Sequence, residues 1–203
     1  MSATITYQLK AKSPSRHLRV PKNPILPDSR ITVEQWVALP HVVPPYELIN
    51  GELIRKMVTT NEHDWVVSEI NFVCRAWSRE SRWRFFSQGS GTKLDLFNGF
   101  IPDVMGFAPD VKLDGDATYN PPPFIAFEVI FKGTAKADRV TKKQTYESAG
   151  VQIYVIVDLK KRALEVHSLR EGKYGKPELL QGDAVWQPKE LPGLKIEQAR
   201  LWF

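Results

Sequence analysis

Glu128 is the lone acid inside Phe124-Ile-Ala-Phe-Glu-Val-Ile-Phe131, a run otherwise apolar on both faces. Burying a single carboxylate there is costly unless it is paired or bound to a metal ion. Two readings are open for it: a strand-end acid that reaches solvent or a neighbouring lysine, and a metal ligand. Asp103 stands in Ile101-Pro102-Asp103-Val104, at the head of a second strand-like run behind Gly99. As a turn acid it needs no further account. At the ends of adjacent strands, however, the two carboxylates would form the oxygen-rich, partly open site that Mg²⁺ prefers. An ion held there can polarise a phosphoryl oxygen and lower the pKa of a bound water. Lys132, Lys136, Arg139, Lys142 and Lys143 follow closely, against Asp138 alone. A solvated helix face explains them, and so does a cleft that must attract a polyanion.

The elements that must position these residues are legible in outline. Thr32 and Gln35 form a capping-box pair ahead of Trp36, Val37 and Leu39, and Pro40 stops that short helix. Asn50-Gly51 between two alternating runs signals a tight hairpin. Thr59 with Glu62 is expected to cap a second helix, whose stripe is His63, Val66, Ile70, Val73 and Trp77. Strands are expected over 84–87, 92–97 and 101–107, separated by the Gly89-Ser90-Gly91 and Asn98-Gly99 turns. Residues 124–131 read as a central strand covered on both sides. A helix over 135–148 follows, ended by Gly150, then a buried strand over 151–157. Residues 164–169 are expected to pair with the Tyr174 region through Glu171-Gly172. The expected fold is an α/β domain around a mixed central sheet flanked by helices.

Bulk properties agree with one such domain. The chain has 203 residues, 42% hydrophobic and 25% charged, and a net charge of +5. Residues 1–30 read as a basic tail interrupted by Pro14, Pro21, Pro24 and Pro27, and residues 31–203 as the folded domain. The longest apolar stretch, near Ile153 to Val157, falls far short of the roughly 20 residues that cross a bilayer. The lone Cys74 can form no internal disulfide, and its place in a helix suggests a buried thiol. With no secretory signal read at the start, a cytoplasmic setting is expected and no membrane partner. Trp65, Trp77, Trp83, Phe85 and Phe86 read as core rather than as base-stacking platforms.

In order and spacing, several segments together resemble a known family. They are Tyr46-Glu-Leu-Ile-Asn-Gly-Glu-Leu53, His63 opening a helix, Pro102-Asp103-Val104 and Phe127-Glu128-Val129. Asp138-Arg139, Lys142 with Tyr146, and Ala149-Gly150-Val151 before Tyr154-Val-Ile-Val-Asp158 complete the set. The pattern resembles the PD-(D/E)XK nuclease superfamily, and within it the Uma-two group of restriction-endonuclease-like proteins. The resemblance implies a restriction-endonuclease-like sheet with Asp103 and Glu128 side by side, a divalent ion, Mg²⁺ or Mn²⁺, and cleavage of phosphodiester bonds in DNA. It implies Asp103, Glu128 and the Val129 carbonyl as metal ligands. Glu47 and His63 would be further active-site groups; solvent exposure for Glu47 and a satisfied core position for His63 are their bland alternatives.

Three positions depart from the pattern. The superfamily lysine should stand two residues past the glutamate, where this chain has Ile130. Ala135, Lys142, Tyr146 and Ala149 share one helical stripe, so Lys142 would face the sheet if the others do. The group's pattern also expects a lysine four residues before the tyrosine; the alternative is a surface lysine paired with Asp138. Phe131-Lys132-Gly133 replaces a more usual Ser-Pro-Ser, and Lys132 could itself supply the charge. Asn50 stands where Asp is commoner, and a hairpin accepts either. The reading is a DNA endonuclease using Asp103, Glu128 and Lys142, with a homodimer as the common arrangement for cutting two strands. Its competitors are a catalytically inactive nucleic-acid-binding protein of the same fold and a two-carboxylate glycoside hydrolase.

Overall fold

In the computed structural model, which describes residues 30–39, 45–130 and 135–203, the chain opens with the expected capping box. Thr32 Oγ1 accepts from the Gln35 amide and Gln35 Oε1 accepts from the Thr32 amide, starting α1 (Val33–Val37). The tail, Pro40 and Lys132 lie outside the described residues. Strands β1 (Tyr46–Ile49) and β2 (Glu52–Arg55) pair antiparallel with Ile49 opposite Glu52. Asn50 and Gly51 therefore form a two-residue turn, and their φ of +52° and +80° match the twist a hairpin needs.

Helix α2 (Asn61–Ser81) begins one residue later than the sequence suggests. Thr60, not Thr59, accepts from the His63 amide, while Thr59 Oγ1 donates to Asp64 Oδ1 at 2.6 Å. His63, Val66, Ile70 and Cys74 lie buried on its inner face. Burial pushes the Cys74 thiol far up, as for an inert core residue.

The next segments are β3 (Arg84–Ser87), β4 (Gly91–Asp95), β5 (Asn98–Phe100) and β6 (Val104–Phe107). Asn98-Gly99 is thus strand, not turn. Asp95 makes the turn instead, its carboxylate accepting from the Phe97 amide and the Asn98 side chain. Gly99 is required there, because a Cβ would lie 2.2 Å from Trp36 Cζ3. Then come β7 (Tyr119–Asn120) and β8 (Ile125–Ile130).

The helix expected over 135–148 is present but irregular. Between α3 (Ala135–Ala137) and α4 (Lys143–Ser148) it makes a π turn over Asp138–Lys142. Tyr154 donates its hydroxyl to the Asp138 carbonyl at 3.1 Å, within the widened turn. The chain ends with β9 (Ile153–Asp158), β10 (Ala163–Arg170), β11 (Lys173–Tyr174), β12 (Glu178–Gln181), β13 (Val185–Trp186) and β14 (Ile196–Glu197).

One sheet runs β2-β1-β5-β4-β7; the larger runs β11-β10-β9-β8-β6-β3, with β12 also on β10. Strand β8 lies between antiparallel β6 and parallel β9, and all six of its residues are buried. Alternation divides them between two faces. Ile125, Phe127 and Val129 pack with Val66, Ile70 and Cys74 of α2, while Ala126 and Ile130 pack with Tyr146 of α4 and Tyr154. The α2 side is completed by Trp186, Leu191, Leu194, Ile196 and Leu201 of the C-terminal segment, whose short elements carry no periodic signal. Among the described residues no helix is long and apolar enough to cross a membrane.

Candidate active site

Glu128 shares the β8 face of Ala126 and Ile130, covered by Tyr146. Asp103 immediately precedes β6. Its amide donates to the Phe127 carbonyl at 3.2 Å, and its Oδ2 accepts from the Val129 amide at 2.9 Å. The carboxylate thereby continues the β6–β8 ladder past the point where the backbone leaves it, beside the strand that carries Glu128. The expected juxtaposition of the two acids is therefore built by hydrogen bonds between neighbouring strands.

Lys142 reaches Glu128 from the helix. Its Nζ lies 3.1 Å from Glu128 Oε1, 2.9 Å from Glu47 Oε2 and 3.5 Å from Asp138 Oδ1. The pairing with Asp138 read as a surface alternative exists, but inside the protein: Lys142 is only 5% exposed. Burial opposes its charge, yet Glu128, Glu47 and Asp138 together hold its pKa well above that of an ordinary lysine. Lys142 is a fixed cation at neutral pH.

Glu47 faces inward rather than to solvent, and its Oε1 accepts from the Ile101 amide at 2.9 Å. His63 sits with Nε2 3.3 Å from Asp103 Oδ2 and Nδ1 3.3 Å from Asp64 Oδ1. Burial lowers its proton affinity, but bonds to Asp103 and Asp64 leave it raised.

The two acids differ sharply in proton affinity. Burial works against the Asp103 charge, but Lys56, His63 and the Val129 amide hold its carboxyl well below the usual carboxylate range. For Glu128, burial together with the carboxylates of Glu47, Asp103 and Asp138 outweighs Lys142 and pushes the pKa up to about 8. The Tyr146 hydroxyl, its pKa raised by burial and by Glu128, stays protonated and donates to Glu128 Oε1 at 2.9 Å. Neighbouring acids whose proton affinities are pushed this far apart are a common arrangement in catalytic sites.

Two contributors escape the sequence reading. Lys56, just past β2, donates to Asp103 Oδ1 at 3.1 Å and to the Ile101 carbonyl at 2.7 Å. The hairpin register held the signal: Glu47 pairs with Ile54, so Lys56 two residues on lies on the same face. Asp138, read from its spacing only as a surface partner of Lys142, is buried beside it through the π turn. Glu47, Lys56, Asp103, Glu128, Asp138 and Lys142 all line one cavity of about 190 Å³.

Other expectations are corrected. Arg139 does not add to a field over the site; it is bonded to Glu165 at 2.5 and 3.0 Å and to Asp158 at 2.6 Å. Of the aromatics read as core, Phe85 is buried and Trp77 and Trp83 pack against the core, but Trp65 is 44% exposed. It lies on the outer side of α2 against Phe203.

A family described as "Uma2: Putative restriction endonuclease" matches residues 33–199. The chain belongs to the Uma2 family. Its fold is shared with a crystal structure titled as a putative nuclease belonging to DUF820 from Anabaena variabilis ATCC 29413. That likeness has a TM-score of 0.73 at 17% identity and covers 84% of this chain and 97% of the other. No curated protein matches the chain. As a Uma2 chain with a restriction-endonuclease-like fold, it carries Lys142 from the helix beside Glu128, while the strand position two residues past Glu128 is the buried Ile130.

Proposed function

We propose that this Uma2 protein hydrolyses phosphodiester bonds in DNA with a divalent ion, Mg²⁺ or Mn²⁺, held by Asp103, Glu128 and the Val129 carbonyl. The observation that carries the reading is the hydrogen-bonded union of Asp103 with β8 beside Glu128, with Lys142 aimed at the same carboxylate. Among the described residues no three His, Cys, Asp or Glu side chains converge as a complete metal cage. The donors fit the ion all the same, because Mg²⁺ is usually held by one or two carboxylates with waters and substrate phosphate filling the remainder. The Val129 N–H points to Asp103, and within a strand a residue's carbonyl leaves on the same edge as its N–H. When bound, the ion would polarise a phosphoryl oxygen and acidify a water.

The chain's own groups have separable tasks. Lys142, anchored by Glu47 and Asp138, supplies a fixed positive charge for the phosphate as negative charge builds on it. Because its proton is held so firmly, it orients water and phosphate rather than serving as a base. Tyr146 steers Glu128 through Oε1, which leaves Oε2 for the ion. His63 and the Val129 amide fix Asp103 through Oδ2.

The decisive assay is nicking of supercoiled plasmid with Mg²⁺ or Mn²⁺ and with EDTA. The proposal requires metal-dependent nicking that Asp103→Ala and Glu128→Ala abolish; nicking that survives both substitutions overturns it. Ile130 at the usual lysine position favours a second reading, nucleic-acid binding without cleavage. Salt-sensitive DNA binding with no metal-dependent nicking would select it.

A further inference from the structure

We propose that Lys56 is an exchangeable counter-ion of the site: its ammonium holds the metal-binding oxygen of Asp103 until a divalent ion displaces it, and then turns to a phosphate of the nucleic acid. The inference rests on the metal-dependent reading above and concerns a residue to which that reading gives no role.

The two oxygens of Asp103 are used differently. Oδ2 accepts from the Val129 amide at 2.9 Å and lies 3.3 Å from His63 Nε2. Oδ1 takes Lys56 alone among the described residues, at 3.1 Å. An ion joining Asp103 without breaking the strand-to-strand bond must therefore come to Oδ1, where Lys56 already stands. An ammonium beside a divalent ion on the same oxygen is strongly repelled.

Lys56 is also placed to leave. Its side chain is 20% exposed against 7% for Lys142, so it forms the rim of the cavity and Lys142 the floor. It is followed by Met57 and Val58, which are 58% and 82% exposed, and residues 56–60 belong to no helix or strand. Turning outward breaks its bonds to Asp103 and to the Ile101 carbonyl, and a four-carbon stem gives the reach to meet a phosphate at the mouth. Lys142 has no such freedom, gripped as it is by Glu47, Glu128 and Asp138. Two lysines in one cavity thus have opposite designs, one fixed and one released.

The test is Mn²⁺ titration of the full chain, following free Mn²⁺ by electron paramagnetic resonance. The variants are Lys56→Met, Asp103→Asn and the double variant, with Lys56→Gln as a second version that keeps a donor for the Ile101 carbonyl. Lys56→Met or Lys56→Gln is expected to tighten Mn²⁺ binding at least about tenfold, since a competitor is gone. The gain should vanish in the Asp103→Asn background. In parallel, the slope of log K for a short DNA duplex against log salt should fall by about one contact on losing Lys56. Unchanged or weaker Mn²⁺ binding in both Lys56 variants, where the parent binds Mn²⁺, overturns the exchange and leaves the nuclease reading standing. If neither parent nor Lys56 variants bind Mn²⁺, the metal-dependent reading itself falls, and the inference with it.

Discussion

Replacing Glu128 by Gln should make the metal-free protein more stable, although it removes an ion-pair partner of Lys142. Two effects oppose each other. Breaking a buried pair normally costs several kcal/mol because a charge is orphaned. Here Lys142 keeps Glu47 at 2.9 Å and Asp138 at 3.5 Å, so its charge is not orphaned. Glu128, in contrast, is buried among three other carboxylates, and its pKa rises from 4.5 to about 8. The sign follows from proton linkage. Below pH 4.5 both folded and unfolded states keep the proton and no cost arises. Between 4.5 and about 8 the unfolded chain releases it and the folded one does not, so the cost grows with pH and then levels off. One pH unit is worth about 1.4 kcal/mol, so Gln should recover on the order of 3 kcal/mol at pH 7. For a chain of this size that is a rise in Tm of roughly 5–10 °C. Thermal melts in EDTA at pH 4.5, 7 and 8.5 read it directly. The gain should be near zero at the lowest pH and largest at the highest. A Gln variant less stable than the parent at pH 8.5, or a gain that ignores pH, would refute the reasoning.

Removing the other partner should do the reverse. Lys142→Met removes the ammonium that bridges the buried Glu47, Glu128 and Asp138 and should cost about 3–5 kcal/mol in chemical denaturation. Gly99→Ala drives a Cβ to within 2.2 Å of Trp36 and should cost about 1–3 kcal/mol in the same measurement. On β9 and β10, burial opposes the charges of Asp158 and Glu165. For Asp158 the Lys161 amide with Arg139, and for Glu165 chiefly Arg139, outweigh it and hold both pKa values below their ordinary range. The stability these groups contribute is present above the unfolded carboxylate pKa of about 4 and is lost as pH falls through the folded values. Arg139→Met should therefore lose less stability than the parent between pH 5 and pH 3, measured by urea unfolding across that range.

How legible the molecule was depended on whether a residue broke a pattern or lay outside one. Glu128 announced itself as an acid in an apolar strand, and the hairpin at Asn50-Gly51 and the capping box at Thr32 were carried by local chemistry. Lys142 was reachable because its spacing to Tyr146 lies on the regular side of the π turn. The spacing gave Asp138 only as a surface partner of Lys142; its buried place was not legible, because the π turn there depends on tertiary contacts such as the Tyr154 hydroxyl. Lys56 sits in a short stretch without periodicity, and only the cross-strand register to Glu47 points to it. The Asn98-Gly99 turn was misread because Asp95, three residues earlier, supplies the bonds that close the chain. Strands β12 to β14 are too short to carry an alternating signal of their own.

The central claim is that Asp103 and Glu128 together hold a divalent ion beside Lys142. A crystal soaked in Mn²⁺ and measured for anomalous scattering tests it most directly. The account predicts one strong peak in contact with Asp103 Oδ1, a Glu128 oxygen and the Val129 carbonyl, with Lys142 still bonded to Glu47. A soaked crystal with no peak at these oxygens, or with its manganese bound elsewhere, would contradict it.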